Sequence, residues 1–321
     1  MVSLETEERD EDDVSFVSAS EHGNGDDDAD SEGVDRPPVH PIVCMQGAFE
    51  ESIMETIGNR RDSVSSTSST GTLDPKARRQ RLLEGDYDGP RSSRGRKRPG
   101  AKYHKLWKLM AQISFGVHLL HQQLAKSDEE VVKIMQSHVD ELDTFLERTT
   151  EDFDLAIADI NERINYLKLP LEHVNIFDIM LDDKPFRTSI IEGNEKIERI
   201  VERTARAMTD ALEDVNVGIQ ATAELAKYLD ILGEKWTHGH DDLSNIYKAM
   251  YANVEGWYSC LGSLQLKGNT LGGSLVQLGG ILNEMSKRAG VASRRSLVSN
   301  PECHCLQLIA IVALNTCVLR I

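Results

Sequence analysis

Two apolar seams constrain this chain more than any other feature. One runs Ile190, Asn194, Ile197, Val201, Thr204, Met208, Ala211, Val215, Gly218, Thr222, Leu225, Leu229, Leu232, Trp236. The other runs Leu243, Tyr247, Met250, Val254, Trp257, Leu261, Leu264, Gly268, Leu271, Leu275, Leu278, Leu282, Met285. Both alternate steps of four and three, the 3.5-residue period that keeps a stripe on one face of a helix. A helix of about 50 residues rises ~75 Å and cannot bury such a stripe alone. Small and polar members such as Thr204, Ala211, Gly218 and Thr222 would pack badly in a two-stranded coil, so the pattern predicts a bundle of several helices. Asn194 is a candidate register-setting residue.

A third seam precedes these two. Leu106, Met110, Ile113, Val117, Leu120 and Leu124 lead to Ser127 and Glu130, a capping-box pair that marks a bend or a fresh helix start. Val131, Met135, His138, Leu142 and Phe145 continue the stripe. Thr149, Phe153 and Ile157 slip to steps of four, a stutter, before Ile160, Ile164 and Leu167 restore it. Pro170 and Pro185 bracket a short apolar segment that reads as a small helix at the end of the bundle. Gly233 and Thr237–His240 mark a turn, with Asp241 or Asp242 as the next N-cap. The expected fold is all-α: an elongated antiparallel bundle of three to four long heptad-patterned helices, preceded by a disordered N-terminal region. Its helices would span 102–168 (bent near 127), 187–236 and 240–288. Leu271-Gly272-Gly273 recurs as Leu278-Gly279-Gly280, which points to a close helix approach repeated each heptad rather than to a weakened segment.

Charge divides the rest of the 321 residues. Residues 1–35 hold fourteen acids and one base, residues 36–75 are rich in Ser and Thr, and residues 76–105 carry eleven bases and three acids. Blocks of like charge with few apolar groups cannot offset their ordering entropy. The expected organisation is therefore a disordered arm over 1–100 (acidic 1–35, Ser/Thr-rich 36–75, basic 76–100), a helical domain over 101–290, and a flexible tail over 291–321 with a short apolar segment. Within the arm, Phe49, Ile53 and Ile57 form a short amphipathic stripe suited to a partner's groove. Two basic clusters, Lys76, Arg78, Arg79, Arg81 and Arg94, Arg96, Lys97, Arg98, are arranged like a bipartite nuclear import signal. The second cluster resembles an AT-hook core, but Lys97 and Arg98 interrupt it before Pro99. Ser63 and Ser296, each following two arginines, are candidate phosphorylation sites.

No catalytic, cofactor-binding or metal-binding constellation emerges. No Glu sits three residues before His118, His121 or His138, as a di-iron bundle requires. His238 and His240 crowd a predicted turn, Cys303-His304-Cys305 lacks zinc spacing, and the Gly-rich 268–274 segment lacks the Lys-Ser or Lys-Thr of a P-loop. Five cysteines are too few for a disulfide scaffold, and the acidic N-terminal stretch is unlike a signal peptide. The chain therefore reads as cytoplasmic, with a nuclear alternative, and not secreted. Leu306–Ile321 is the most apolar stretch. It is shorter than a membrane span and includes Gln307, Asn315, Thr316 and Arg320, so it reads as a docked segment before an anchor.

The expected function is a non-enzymatic scaffold or adaptor, without cofactor, that binds other proteins through helical surfaces and is regulated by phosphorylation of its arm. Self-association is a further expectation; nucleic-acid binding is disfavoured. In helix length alone, residues 102–288 resemble BAR-domain dimers, which implies a membrane-binding or tethering alternative. A chromatin-associated nuclear factor is the second alternative, resting on the basic clusters.

Overall fold

Each long seam finds its cover within the same chain. The computed structural model describes residues 38–61, 74–85, 101–236 and 241–298, and these are all-α. After a 3-10 turn at Val43–Met45 come α1 (Gln46–Arg61), α2 (Pro75–Glu84), α3 (Lys105–His121), α4 (Asp128–Glu172), α5 (Val174–Met180), α6 (Lys184–Trp236) and α7 (Asp241–Val298). At 53 and 58 residues, α6 and α7 rise about 80 and 87 Å.

The core is one continuous apolar column. α6 and α7 run antiparallel: Gly233 lies beside Tyr247, Gly218 beside Leu261, and Asn194 beside Ser286. α4 runs parallel to α7, with Asp143 bonded to Trp257, Asp154 to Lys267 and Asn161 to Ser274. α7 is thus the spine, flanked by α4 and α6, which scarcely touch each other. The groove left between α4 and α6 is the fourth position of the bundle. α3 enters its upper part, and α1 packs on the outer side of α3.

The seams of the two longest helices match the buried faces closely. Ile190, Asn194, Ile197, Thr204, Val215, Thr222, Leu225, Leu229 and Leu232 are buried on α6, and every seam residue from Met250 to Met285 is buried on α7. Asn194 reaches across to α7, where its Nδ2 donates to Ser286 Oγ at 2.9 Å.

Four expectations need correction. The first seam is not one bent helix but a hairpin, because α3 closes in a Schellman arrangement. Leu124 N–H donates to the Leu119 carbonyl and Gln123 N–H to that of Leu120, with Gln123 at φ 56°. Leu124 therefore leaves the stripe and is exposed, and Ser127 caps a new helix by accepting from Glu130 N–H. Second, α4 continues through Pro170 to Glu172. A proline this close to a helix end removes a single backbone bond, and its ring is buried. Third, α7 extends to Val298, past the expected boundary at 290, and the Leu-Gly-Gly repeat is not a close approach. A methyl group on Gly273, Gly279 or Gly280 would meet nothing within 4 Å, whereas on Gly268 it would sit 2.6 Å from Leu212 Cδ2. Fourth, the stretch read as a disordered arm includes α1 and α2, both packed on the bundle.

Two consequences for stability follow. Thr204 is 2% exposed and its hydroxyl has no hydrogen-bond partner among the described residues. Thr204→Val removes that unpaired group, and denaturant unfolding should show a gain of about 1 kcal/mol. Gly280→Ala should gain about 1 kcal/mol of helix propensity. Gly268→Ala should forfeit this gain, because Leu212 has to move.

Candidate functional site

The α4–α6 groove is lined by one chemistry at its top and another at its middle. At the top, α3 brings apolar side chains onto the seam; Leu106, Met110, Ile113 and Val117 are buried. Two histidines tie it to α6. His104 Nε2 lies 3.0 Å from Asp214 Oδ1, and His118 Nδ1 shares a 2.9 Å hydrogen bond with the Tyr228 hydroxyl. Burial holds His118 below its ordinary pKa, reinforced by the nearby His121 and His40, and pushes Tyr228 up to about 12. Both partners are therefore neutral at pH 7, an arrangement suited to fixing helices rather than to moving protons.

The residues before α3 and on its outer side are anchored from within the arm. Met45, Ala48 and Phe49 are fully buried, and Phe49 stacks at 4.3 Å on Phe115. His40 is 2% exposed. Burial pushes its pKa down, against the hydrogen bonds to the Ala111 and Ile42 carbonyls. The neutral ring satisfies both nitrogens: Nε2–H donates to Ala111 O at 2.9 Å, and Nδ1 accepts from Ile42 N–H at 3.0 Å. Lys108 is clamped between Glu51 at 2.7 Å and Glu55 at 2.6 Å. Burial works against its charge, but these carboxylates prevail and hold the ammonium above its usual range. The Phe49 stripe thus fills a groove of its own chain, with Ile53 half-buried and Ile57 at the margin.

In the middle of the groove sits α2, and here charge does most of the holding. Asp74 precedes Pro75 at the first helical position, and Gly85 ends the helix. Arg78 donates from Nη2 to Glu151 at 2.9 Å and from Nε to Asp152 at 2.8 Å. Arg79 pairs with Asp159 at 2.7 Å, and Arg163 holds the same carboxylate from one turn away at 2.9 Å. From α6, Arg203 donates to the Leu83 carbonyl. Both arginine side chains are only 10% exposed, yet no residue of α2 is fully buried. Burial disfavours the Arg78 charge, but the two carboxylates outweigh it and raise its pKa.

Magnitudes separate the two arm helices. A fully buried large apolar side chain contributes about 1.5–3 kcal/mol, and α1 together with the turn before it has several. An ion pair near the surface contributes about 0–1 kcal/mol and weakens with salt. α2 is therefore the piece of the fourth position that leaves first.

The remaining predicted residues are scattered. Lys76 and Arg81 are exposed on α2, while Arg94, Arg96, Lys97, Arg98 and Ser63 lie outside the described residues, as do His238, His240 and Cys303–Cys305. Ser296 is exposed on the last turns of α7, with its hydroxyl donating to the Ala292 carbonyl at 2.8 Å. Burial and the Glu224 carboxylate raise the Cys44 thiol above its usual range, the reverse of an activated nucleophile. Among the described residues no cluster of metal-ligating side chains forms, and no described helix is long and apolar enough to cross a membrane. Sequence reading missed the docking of α2 and the pairs His104–Asp214 and His118–Tyr228. Their partners lie about 70 to 110 residues away, and no local spacing encodes them.

Comparisons of the chain with protein-family models, with curated proteins and with solved structures give no match in any of the three.

His40, His118 and His138 are all held below the ordinary histidine value by burial. The unfolded chain then binds more protons below about pH 6.5, so this part of the stability is complete above that pH and is lost as the pH falls. Unfolding free energy should drop between pH 7 and 5, before the carboxylates titrate. His138→Leu should flatten that slope in denaturant titrations at the two pH values.

Proposed function

We propose that the protein is a non-enzymatic helical scaffold that binds protein partners through the surfaces of its long bundle, with the α4–α6 groove as the regulated surface. The observation that carries this reading is the seating of α2: a basic helix, without a fully buried residue, held over an acidic strip by Arg78 and Arg79. Long helices presenting a groove of this width are suited to receiving a partner helix. Charge complementarity defines that helix as basic, since the strip formed by Glu151, Asp152 and Asp159 takes arginines from the chain itself. In this reading α2 is a tethered placeholder that a partner displaces.

Phosphorylation fits the same device. A phosphate on Ser63 adds about −1.5 to −2 charges twelve residues before Pro75, and offers Arg78 and Arg79 an alternative to the carboxylates. Release of α2 also frees two residues of the first basic cluster, so nuclear import would follow opening, from a cytoplasmic resting location.

Charge reversal tests this directly. Asp152→Lys together with Asp159→Lys should leave the long helices intact, with a loss of helical content no larger than α2 itself, and speed tryptic cleavage after Arg78, Arg79 and Arg81 by at least tenfold. Phosphorylation of Ser63 should act in the same direction, and opened protein should gain stable protein partners that bind through α4 and α6. Unchanged cleavage, or opened protein that takes no helix in the groove, would overturn the reading.

A further inference from the structure

Below α2 the groove is open. Between the end of α4 and the start of α6 lies a cavity of about 230 Å³, walled by Leu167, Pro170, Phe177, Ile190, Ile197 and Met285. Large apolar side chains stay exposed around this end: Tyr166, Leu169, Ile176, Ile179 and Ile191 are 38–63% exposed. Five of the fifteen exposed large hydrophobics among the described residues thus fall between positions 166 and 191. An apolar surface gathered at the same end as a cavity, along a stretch of groove that no described residue fills, calls for a cover.

We propose that residues Leu306–Ile321 of the same chain are that cover, packing into the base of the α4–α6 groove as the third piece of the fourth position. Three observations converge on this segment rather than on another occupant.

The first is where the chain leads. Asn194 of α6 lies beside Ser286 of α7, and α7 continues to Val298, which brings its end level with the first turn of α6. Arg288 meets Asp178 of α5 at 3.2 Å, so this end of α7 stands at the cavity's own end of the bundle. Residues 299–305 then have only to cross the end of the bundle. Neighbouring helices stand about 8–10 Å apart, and seven residues extend to about 23–25 Å.

The second is length. α2 is held to α6 at Arg203. From there down to Lys184 the α6 wall of the groove runs about 28 Å at 1.5 Å per residue, faced by α4 as far as Glu172 and by Phe177 of α5 beyond it. As a helix, residues 306–321 would rise about 24 Å, no longer than that wall, and so would fit beneath α2 without displacing it.

The third is chemistry. Leu306–Ile321 is the most apolar stretch of the sequence, and the cavity at the base is walled mainly by apolar side chains. The chain already fills the upper groove with α3 and the middle with α2, so the base continues one scheme of self-coverage.

The test uses the full chain. A photo-crosslinking benzoylphenylalanine placed at Tyr166, which lines the cavity and is 38% exposed, should join to residues 306–321 within one chain, in the monomer fraction. Leu308→Glu with Val312→Glu should abolish that crosslink and speed amide exchange over 166–197 by at least tenfold, leaving exchange over 214–229 unchanged. Gly193→Glu, at the cavity wall where an added side chain meets nothing within 4 Å, should weaken the same crosslink without altering the fold. Crosslinks joining two chains would assign the surface to a second copy. Vesicle co-sedimentation that depends on 306–321 would assign the segment to a lipid surface. Exchange over 166–197 that ignores the tail substitutions would show the base to be uncovered. Each of these three results overturns the proposal. None depends on whether α2 opens, so the groove's regulated role stands or falls separately.

Discussion

A stripe of apolar side chains some fifty residues long has to be buried along its whole length, and this requirement organises everything else in the molecule. α7 satisfies it for α4 and α6 by running between them as a spine. The geometry leaves a long groove on the opposite side, because α4 and α6 do not meet. Among the described residues no further helix of comparable length fills that groove. The chain covers it in pieces, each held by the physics that its own composition allows.

The pieces differ in how firmly they are held. α3 is apolar on most of its surface and sits in the column as a permanent member, tied to α6 by His104 and His118. α1 follows it, anchored by Phe49 and the neutral His40. α2 contributes guanidinium groups instead of a core. Its seat is specific, since the arginines meet carboxylates two turns apart on α4, and it is weak, since those carboxylates face water on one side. In the proposed reading, a graded set of attachments of this kind makes a rigid rod with one detachable element. That combination suits a scaffold whose groove is offered or withheld. The same acidic strip that keeps α2 in place would repel an acidic partner and select a basic helix.

Much of the rod is legible in the sequence, because period 3.5 is a local signal repeated many times. The buried faces of α6 and α7 follow it almost residue by residue, even at Asn194, Thr204 and Gly218, where the side chain alone gives no hint of burial. What is not legible depends on single residues overriding a pattern. Leu124 sits in phase with its seam, yet the left-handed Gln123 ends the helix first. Pro170 looks like a terminator, yet near a helix end it costs only one bond. The paired glycines look like a close approach, yet three of the four face open space and Gly272 only reaches ordinary contact with Met208, whereas the true close contact is at Gly268. The groove itself was invisible for another reason. Arg78 and Arg79 read as an import signal in a disordered arm because the acidic strip that receives them lies about 70 to 80 residues away on a helix whose polar face looks ordinary.

The central claim is that the arm's basic helix occupies the bundle groove of its own chain. Spin labels at Lys76→Cys on α2 and Glu162→Cys on α4, both exposed, placed in a chain stripped of its native cysteines, measure this directly through their dipolar distance distribution. A seated α2 gives one narrow distribution that is independent of protein concentration and broadens when Asp159 is neutralised or salt is raised. A broad distribution in low salt, or a narrow one that appears only between two singly labelled chains, would contradict the account.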